Sequence, residues 1–173
     1  TKAIKINPND GRAYFDRAII KEGRRDFKGA IEDYTKAIKI NPNDGRAYFD
    51  RATLYSSFKK AILKEGQKDF KGAISDFTKA IKINPNDVVA YYYRAILKEG
   101  QKDIKGAIGD YTKAIKINPE YGDAYYNRGL LKQELLDNKG AIEDYTKAIK
   151  INPANADVYF NRSKAKDELE DYE

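Results

Sequence analysis

TKAIKINP, residues 35–42, recurs letter for letter from Thr1, Thr78, Thr112 and Thr146. Successive copies start 34, 43, 34 and 34 residues apart. All five prolines of the chain, Pro8, Pro42, Pro85, Pro119 and Pro153, close these strings. A second string, KGAI, begins at Lys28, Lys71, Lys105 and Lys139 and steps by 43, 34 and 34 residues. Self-similarity at a fixed period is the mark of stacked units that bury their apolar faces only against their neighbours.

Each unit reads as two helices. In the first complete unit, helix A is predicted from about Arg12 to Glu22, with Gly23 as its stop because glycine accepts the left-handed conformation that ends helices. Asp26 is the N-cap of helix B. Ala30, Ile31, Tyr34, Ala37 and Ile38 then fall on one face of that helix, which runs to about Ile40. Asn41-Pro42 ends it, since the residue before proline is pushed out of the helical region, and Asn43-Asp44 supplies the turn and the next cap. Isolated helices of this length are marginal in water, so stability must come from stacking.

The chain has 173 residues, 41% hydrophobic and 35% charged, against roughly 25% charged in ordinary globular proteins. That excess suits small elements with much surface, and the regular placement of Ile, Tyr and Phe argues against disorder. Cys, His, Met and Trp are absent, which excludes disulfides, thiol nucleophiles, His-based catalytic pairs and a structural zinc site. No cofactor motif occurs, and no apolar run approaches the ~18 residues of a membrane span. Without a methionine, Thr1 is expected to come from an excerpt or a processed product. A soluble, cytoplasmic setting is the weak expectation; the compartment is otherwise open.

These strings resemble the tetratricopeptide repeat (TPR), whose period is 34 with small residues at repeat positions eight, twenty and twenty-seven and proline at thirty-two. With Pro42 at thirty-two, these small positions fall on Ala18, Ala30 and Ala37, with Tyr34 at twenty-four. The set returns as Ala52, Ala73, Phe77 and Ala80, as Ala95, Ala107, Tyr111 and Ala114, and as Gly129, Ala141, Tyr145 and Ala148. The resemblance implies an all-α, right-handed α-solenoid of antiparallel helix pairs. It would comprise residues 1–8 as the end of a helix B, then repeats at 9–42, 43–85, 86–119 and 120–153. Residues 154–173 would be a partial repeat or a capping helix.

Two departures stand out. Position eleven, usually Tyr, is Lys21, Lys98 and Lys132, which unsettles the expected geometry of the A–B loop. The second repeat has 43 residues, with nine surplus at 59–67. Inserted as helix, these would add ~13.5 Å and turn the following side chains by about 900°, half a turn off register. Either an overlong helix A or a break near Gly66 is expected; a deletion joining two repeats is the alternative origin.

Arg at position seven recurs with Asp at twenty-three: Arg17 with Asp33, Arg51 with Asp76, Arg94 with Asp110, and Arg128 with Asp144. Structural inter-helix ion pairs are expected, because nothing nearby supplies a nucleophile. Arg162 would find its Asp only beyond Glu173, which fits a cut from a longer array or a capping helix.

The resemblance further implies a peptide-binding groove on the A helices. Its positions two, five, six and nine select Arg12, Phe15, Ile19, Arg46, Phe49, Val89, Tyr92, Tyr93, Ile96, Asp123, Tyr126, Asn127 and Leu130. The family's carboxylate-clamp pattern, Lys at five and Asn at nine, is absent, which disfavours a receptor for chaperone tails. An aromatic and aliphatic groove, basic at one end through Arg12 and Arg46, suits a hydrophobic peptide or helix of a partner protein. The same aromatics could equally pack between neighbouring A helices. Self-assembly through the irregular repeat or the open terminal faces is the alternative function. Nucleic-acid binding, suggested by a net charge of +6 and the lysines of helix B, ranks lower because Glu32, Asp33, Glu143 and Asp144 interrupt the basic surface. An enzyme has the least support.

Overall fold

A computed structural model describes residues 2–61 and 70–170, the side chains of 56–61 excepted. Ten helices and no strand occur among the described residues. The chain divides into two compact units, Thr1–Asn86 and Asp87–Glu173.

The first unit holds α1 (Lys2–Ile6), α2 (Gly11–Gly23), α3 (Phe27–Ile40), α4 (Gly45–Ala61) and α5 (Phe70–Ile83). The second holds α6 (Val88–Gly100), α7 (Ile104–Ile117), α8 (Gly122–Glu134), α9 (Asn138–Ile151) and α10 (Ala156–Glu170). In the first unit α3 packs on both α2 and α4; in the second α7 lies against α6 and α8, and α9 against α8 and α10. Within the units, α3, α7 and α9 thus each touch the A helix before and the A helix after, as stacking demands.

The small repeat positions permit that approach. Ala18 and Ala30 are fully buried in the first unit, as are Ala95, Ala107 and Ala141 in the second. The aromatic at position twenty-four, Tyr34, Phe77, Tyr111 or Tyr145, has no exposed surface in any repeat. Each buried tyrosine hydroxyl donates to the end of its own A helix: Tyr34 to Glu22 at 3.1 Å, Tyr111 to Glu99 at 3.2 Å and Tyr145 to Gln133 at 2.9 Å. The phenol therefore enters the core without stranding its oxygen.

Local chemistry sets the helix ends. Asp26, Asp103 and Asp137 accept the backbone N–H of Gly29, Gly106 and Gly140, each at 3.0 Å. A Cβ on any of those three glycines would collide with the capping carboxylate, which accounts for the glycine in three of the four KGAI strings. At the other end Asn41 and Asn118 accept the N–H two residues on, at 3.2 and 3.0 Å, so Asn-Pro turns the chain as well as ending the helix.

The expectation that Gly23 supplies the left-handed stop is corrected. Gly23 remains helical, and the left-handed residue is Arg25, at φ 62°. Arg25 N–H reaches Glu22 O at 2.8 Å and Asp26 N–H reaches Lys21 O at 2.9 Å, the paired bonds of a Schellman ending. Lys102 (φ 66°) and Leu136 (φ 63°) repeat the geometry. Side chains are strained there, so Arg25→Gly and Lys102→Gly are each expected to stabilise by about 0.5–1 kcal/mol, after the greater freedom of an unfolded glycine is subtracted. A urea midpoint unchanged or lowered in both variants would refute this.

Helix α4 has 17 residues, whereas α2, α6 and α8 have 13. The break expected near Gly66 lies outside the described residues.

Candidate functional site

The repeated Arg and Asp lock the helix pairs. Arg17 donates from Nε and Nη2 to both oxygens of Asp33, at 2.6 Å each. The corresponding bonds are 2.8 and 2.8 Å for Arg51–Asp76, 2.8 and 2.7 Å for Arg94–Asp110, and 2.8 and 2.6 Å for Arg128–Asp144. Each guanidinium also lies over the position-four tyrosine three residues before it, as Arg94 does over Tyr91 at 5.5 Å. The lysines at position eleven find their use here. Lys21, Lys98 and Lys132 reach Asp33, Asp110 and Asp144 at 2.9, 2.8 and 2.9 Å, a second cation on each buried carboxylate. Burial alone would raise the Asp33 carboxyl, but the hydrogen bonds from Arg17 and Lys21 outweigh it and hold Asp33 below the usual range.

These pairs correct one part of the surface reading. Asp33 and Asp144 are buried and do not interrupt the lysines of helix B, whereas Glu32 and Glu143 are exposed. The lysines Lys36, Lys39, Lys113, Lys116, Lys147 and Lys150 are all exposed. No cluster of three or more His, Cys, Asp or Glu suited to a metal occurs among the described residues. None of the described helices is long and apolar enough to cross a membrane.

The A helices present a mixed face in each unit. In the first, Phe15 is buried edge-on to Tyr34, with ring centroids 5.6 Å apart, and Arg46 covers it at 5.3 Å. Phe49 meets Phe77 in the same edge-on way. Ile19 and Arg12 face solvent. Asp50, at position six, is half-buried, and its carboxyl is pushed up to about 6 by desolvation and by the charge of Glu22.

In α8 and α10 of the second unit an amide stands at that position. Asn127 Nδ2 donates to Tyr92 Oη at 3.1 Å, and Asn161 Nδ2 donates to Tyr126 Oη at 3.1 Å. Tyr92 and Tyr126 thus pack between A helices and remain half-buried. Beside them Val89, Tyr93 and Ile96 are 40%, 39% and 37% exposed. Their spacing puts them on one side of α6. Leu130 is half-buried and Asp123 exposed.

The sequence reading missed Asn138. It opens helix B of the fourth repeat, where the other repeats carry Phe27, Phe70 and Ile104. That substitution of an amide for an apolar residue was the available signal.

Five family models match the chain. Four described as tetratricopeptide repeat cover residues 11–44, 33–69, 55–87 and 122–155, and one described as TPR repeat covers 100–135. Among solved structures, a crystal structure of MamA protein is 26% identical with TM-score 0.83, covering 92% of this chain and 82% of that one. A tetratricopeptide repeat protein from Parabacteroides merdae is 19% identical with TM-score 0.80, covering 94% of this chain and 61% of that one. The first TPR of Spaghetti (RPAP3), bound to the HSP90 peptide SRMEEVD, is 24% identical with TM-score 0.59, covering 70% and 94%. The latter two likenesses concern the fold. No curated protein sequence matches.

Proposed function

Because this chain belongs to the tetratricopeptide repeat family, we propose that it is a protein-interaction scaffold, without catalysis of its own, whose A-helix face holds a peptide segment or helix of a partner protein. The observation that carries this reading is the row Val89, Tyr93 and Ile96 on α6. Three large side chains at helical spacing keep over a third of their surface exposed, next to the tethered ring of Tyr92. Such a patch gains free energy when a partner covers it, and aromatic side chains already held in place lose little entropy on binding.

The test follows from their exposure. Val89→Ser/Tyr93→Ser/Ile96→Ser removes the patch and leaves the Tyr92–Asn127 bond in place. A partner captured from lysate after nuclease treatment, then titrated with purified chain, is expected to bind the variant at least tenfold more weakly. Unchanged affinity, or capture that nuclease abolishes, would overturn the reading and favour the lysine-bearing faces of the B helices.

A further inference from the structure

Within the second unit, α8, α10 and the start of α9 enclose an open pocket of about 430 Å³. Its polar lining is Gln133, Glu134, Asn138, Asn161, Lys164 and Glu168. Asn138 is the anomaly. The residue is only 4% exposed, and its Oδ1 is sealed from solvent with no hydrogen-bond partner. A buried amide oxygen left without a donor costs about 1–3 kcal/mol, at a position other repeats fill with Phe or Ile.

The rest of the lining says what could repay that cost. Gln133 is already committed: its oxygen accepts from Tyr145 at 2.9 Å and its nitrogen donates to Glu168 at 3.0 Å. Asn161 uses its nitrogen on Tyr126 and keeps its carbonyl oxygen. Lys164 stands 3.6 Å from Glu168, the cation among these six groups. Glu134 is exposed and enters none of the ion pairs formed among the described residues. The pocket is thus rich in acceptors and, with two carboxylates against one ammonium, negative. The Asn138 amide turns about χ2, a broad two-fold torsion, so its oxygen can be presented to an incoming donor.

We propose that this pocket receives a lysine or arginine side chain from the bound partner segment, with Asn138 and Asn161 accepting its N–H groups and Glu134 and Glu168 matching its charge. The inference rests on the reading of the A-helix face as the binding surface and names one chemical requirement of the partner. A guanidinium brings five donors and an ammonium three, which suits a site offering oxygens.

The experiment uses the whole chain and small probes in place of the partner: Nα-acetyl-arginine N-methylamide, its lysine counterpart and the neutral citrulline counterpart. Amide resonances from Leu130 to Asn138 and from Asn161 to Glu168, with the Asn138 side-chain pair, report binding. Both cationic probes should shift them saturably and the citrulline probe should not. Glu134→Gln, on the surface and so harmless to folding, should weaken the arginine probe about fivefold, the worth of one charge pair. Asn138→Leu should raise the thermal midpoint and abolish the saturable shift. Equal response to citrulline, no saturable shift with either cation, or an arginine response that survives Asn138→Leu each overturns the proposal. Since no partner is involved, these outcomes leave the scaffold reading to its own titration. A partner lost through Val89, Tyr93 and Ile96 without any arginine response would remove the pocket alone.

Discussion

Asp144→Ala is expected to lower the stability of the second unit by about 3–5 kcal/mol, the usual cost of removing one partner from a buried ion pair. Asp144 is 3% exposed and holds two cations, Arg128 through two bonds and Lys132 at 2.9 Å. Its loss leaves both positive groups without their counter-charge, and Arg128 is fixed in place by Tyr125 and by Thr112 Oγ1 at 2.9 Å. Domains of this kind have only ~5–15 kcal/mol in total, so the variant should unfold at a far lower urea concentration. Lys132→Met should cost less than about 1 kcal/mol, because the bidentate bond remains; Arg51 and Asp76 form the same bond in a repeat whose position eleven is Tyr55. Equal losses for the two variants would show that the lysine, not the arginine fork, secures the carboxylate. Acid provides an independent check through Asp33, whose carboxyl is held low. A depressed folded value means that its contribution is complete above the ordinary ~3.9 and is lost as pH falls through the folded value.

How far the sequence could be read follows from which interactions are local. Asp26 as a cap and Asn41-Pro42 as an end depend on neighbours along the chain, and both were legible. Arg17 with Asp33 was legible as well, since four repeats paired the same two positions. Gly23 misled because a Schellman ending closes on carbonyls rather than on glycine, and Arg25 accepts the strain. The role of Lys21 needed the register of one helix on another, which sets Nζ against Asp33. Asp50 and Asn127 share a repeat position, yet the ring at position five of the preceding A helix differs between them. Tyr92 offers an oxygen to Asn127, whereas Phe15, at the matching place in the first unit, has none.

That contrast yields the second large effect. Asp50→Asn is expected to stabilise the first unit by about 2 kcal/mol at pH 7.5, with the gain fading as the solution is acidified. Desolvation raises the Asp50 carboxyl most, Glu22 and Asp44 add to it, and Arg46 opposes them without prevailing, so that the group is pushed up to about 6. Its ordinary value is about 3.9. A folded value above the unfolded one means that the carboxyl disfavours folding once ionised: the penalty is absent below about pH 4, grows as pH rises and is complete above about 6. Asparagine carries no charge to desolvate and no repulsion from Glu22. Urea midpoints of wild type and variant should therefore coincide near pH 4 and separate by pH 7.5. Adding Phe15→Tyr to Asp50→Asn would rebuild in the first unit the amide-to-phenol bond of the second. Because that bond replaces a desolvated charge with a satisfied donor and acceptor, the double variant should be at least as stable as Asp50→Asn alone. A double variant less stable than either single one would mean that the Phe15 site, closed by Tyr34 and Arg46, has no room for a hydroxyl.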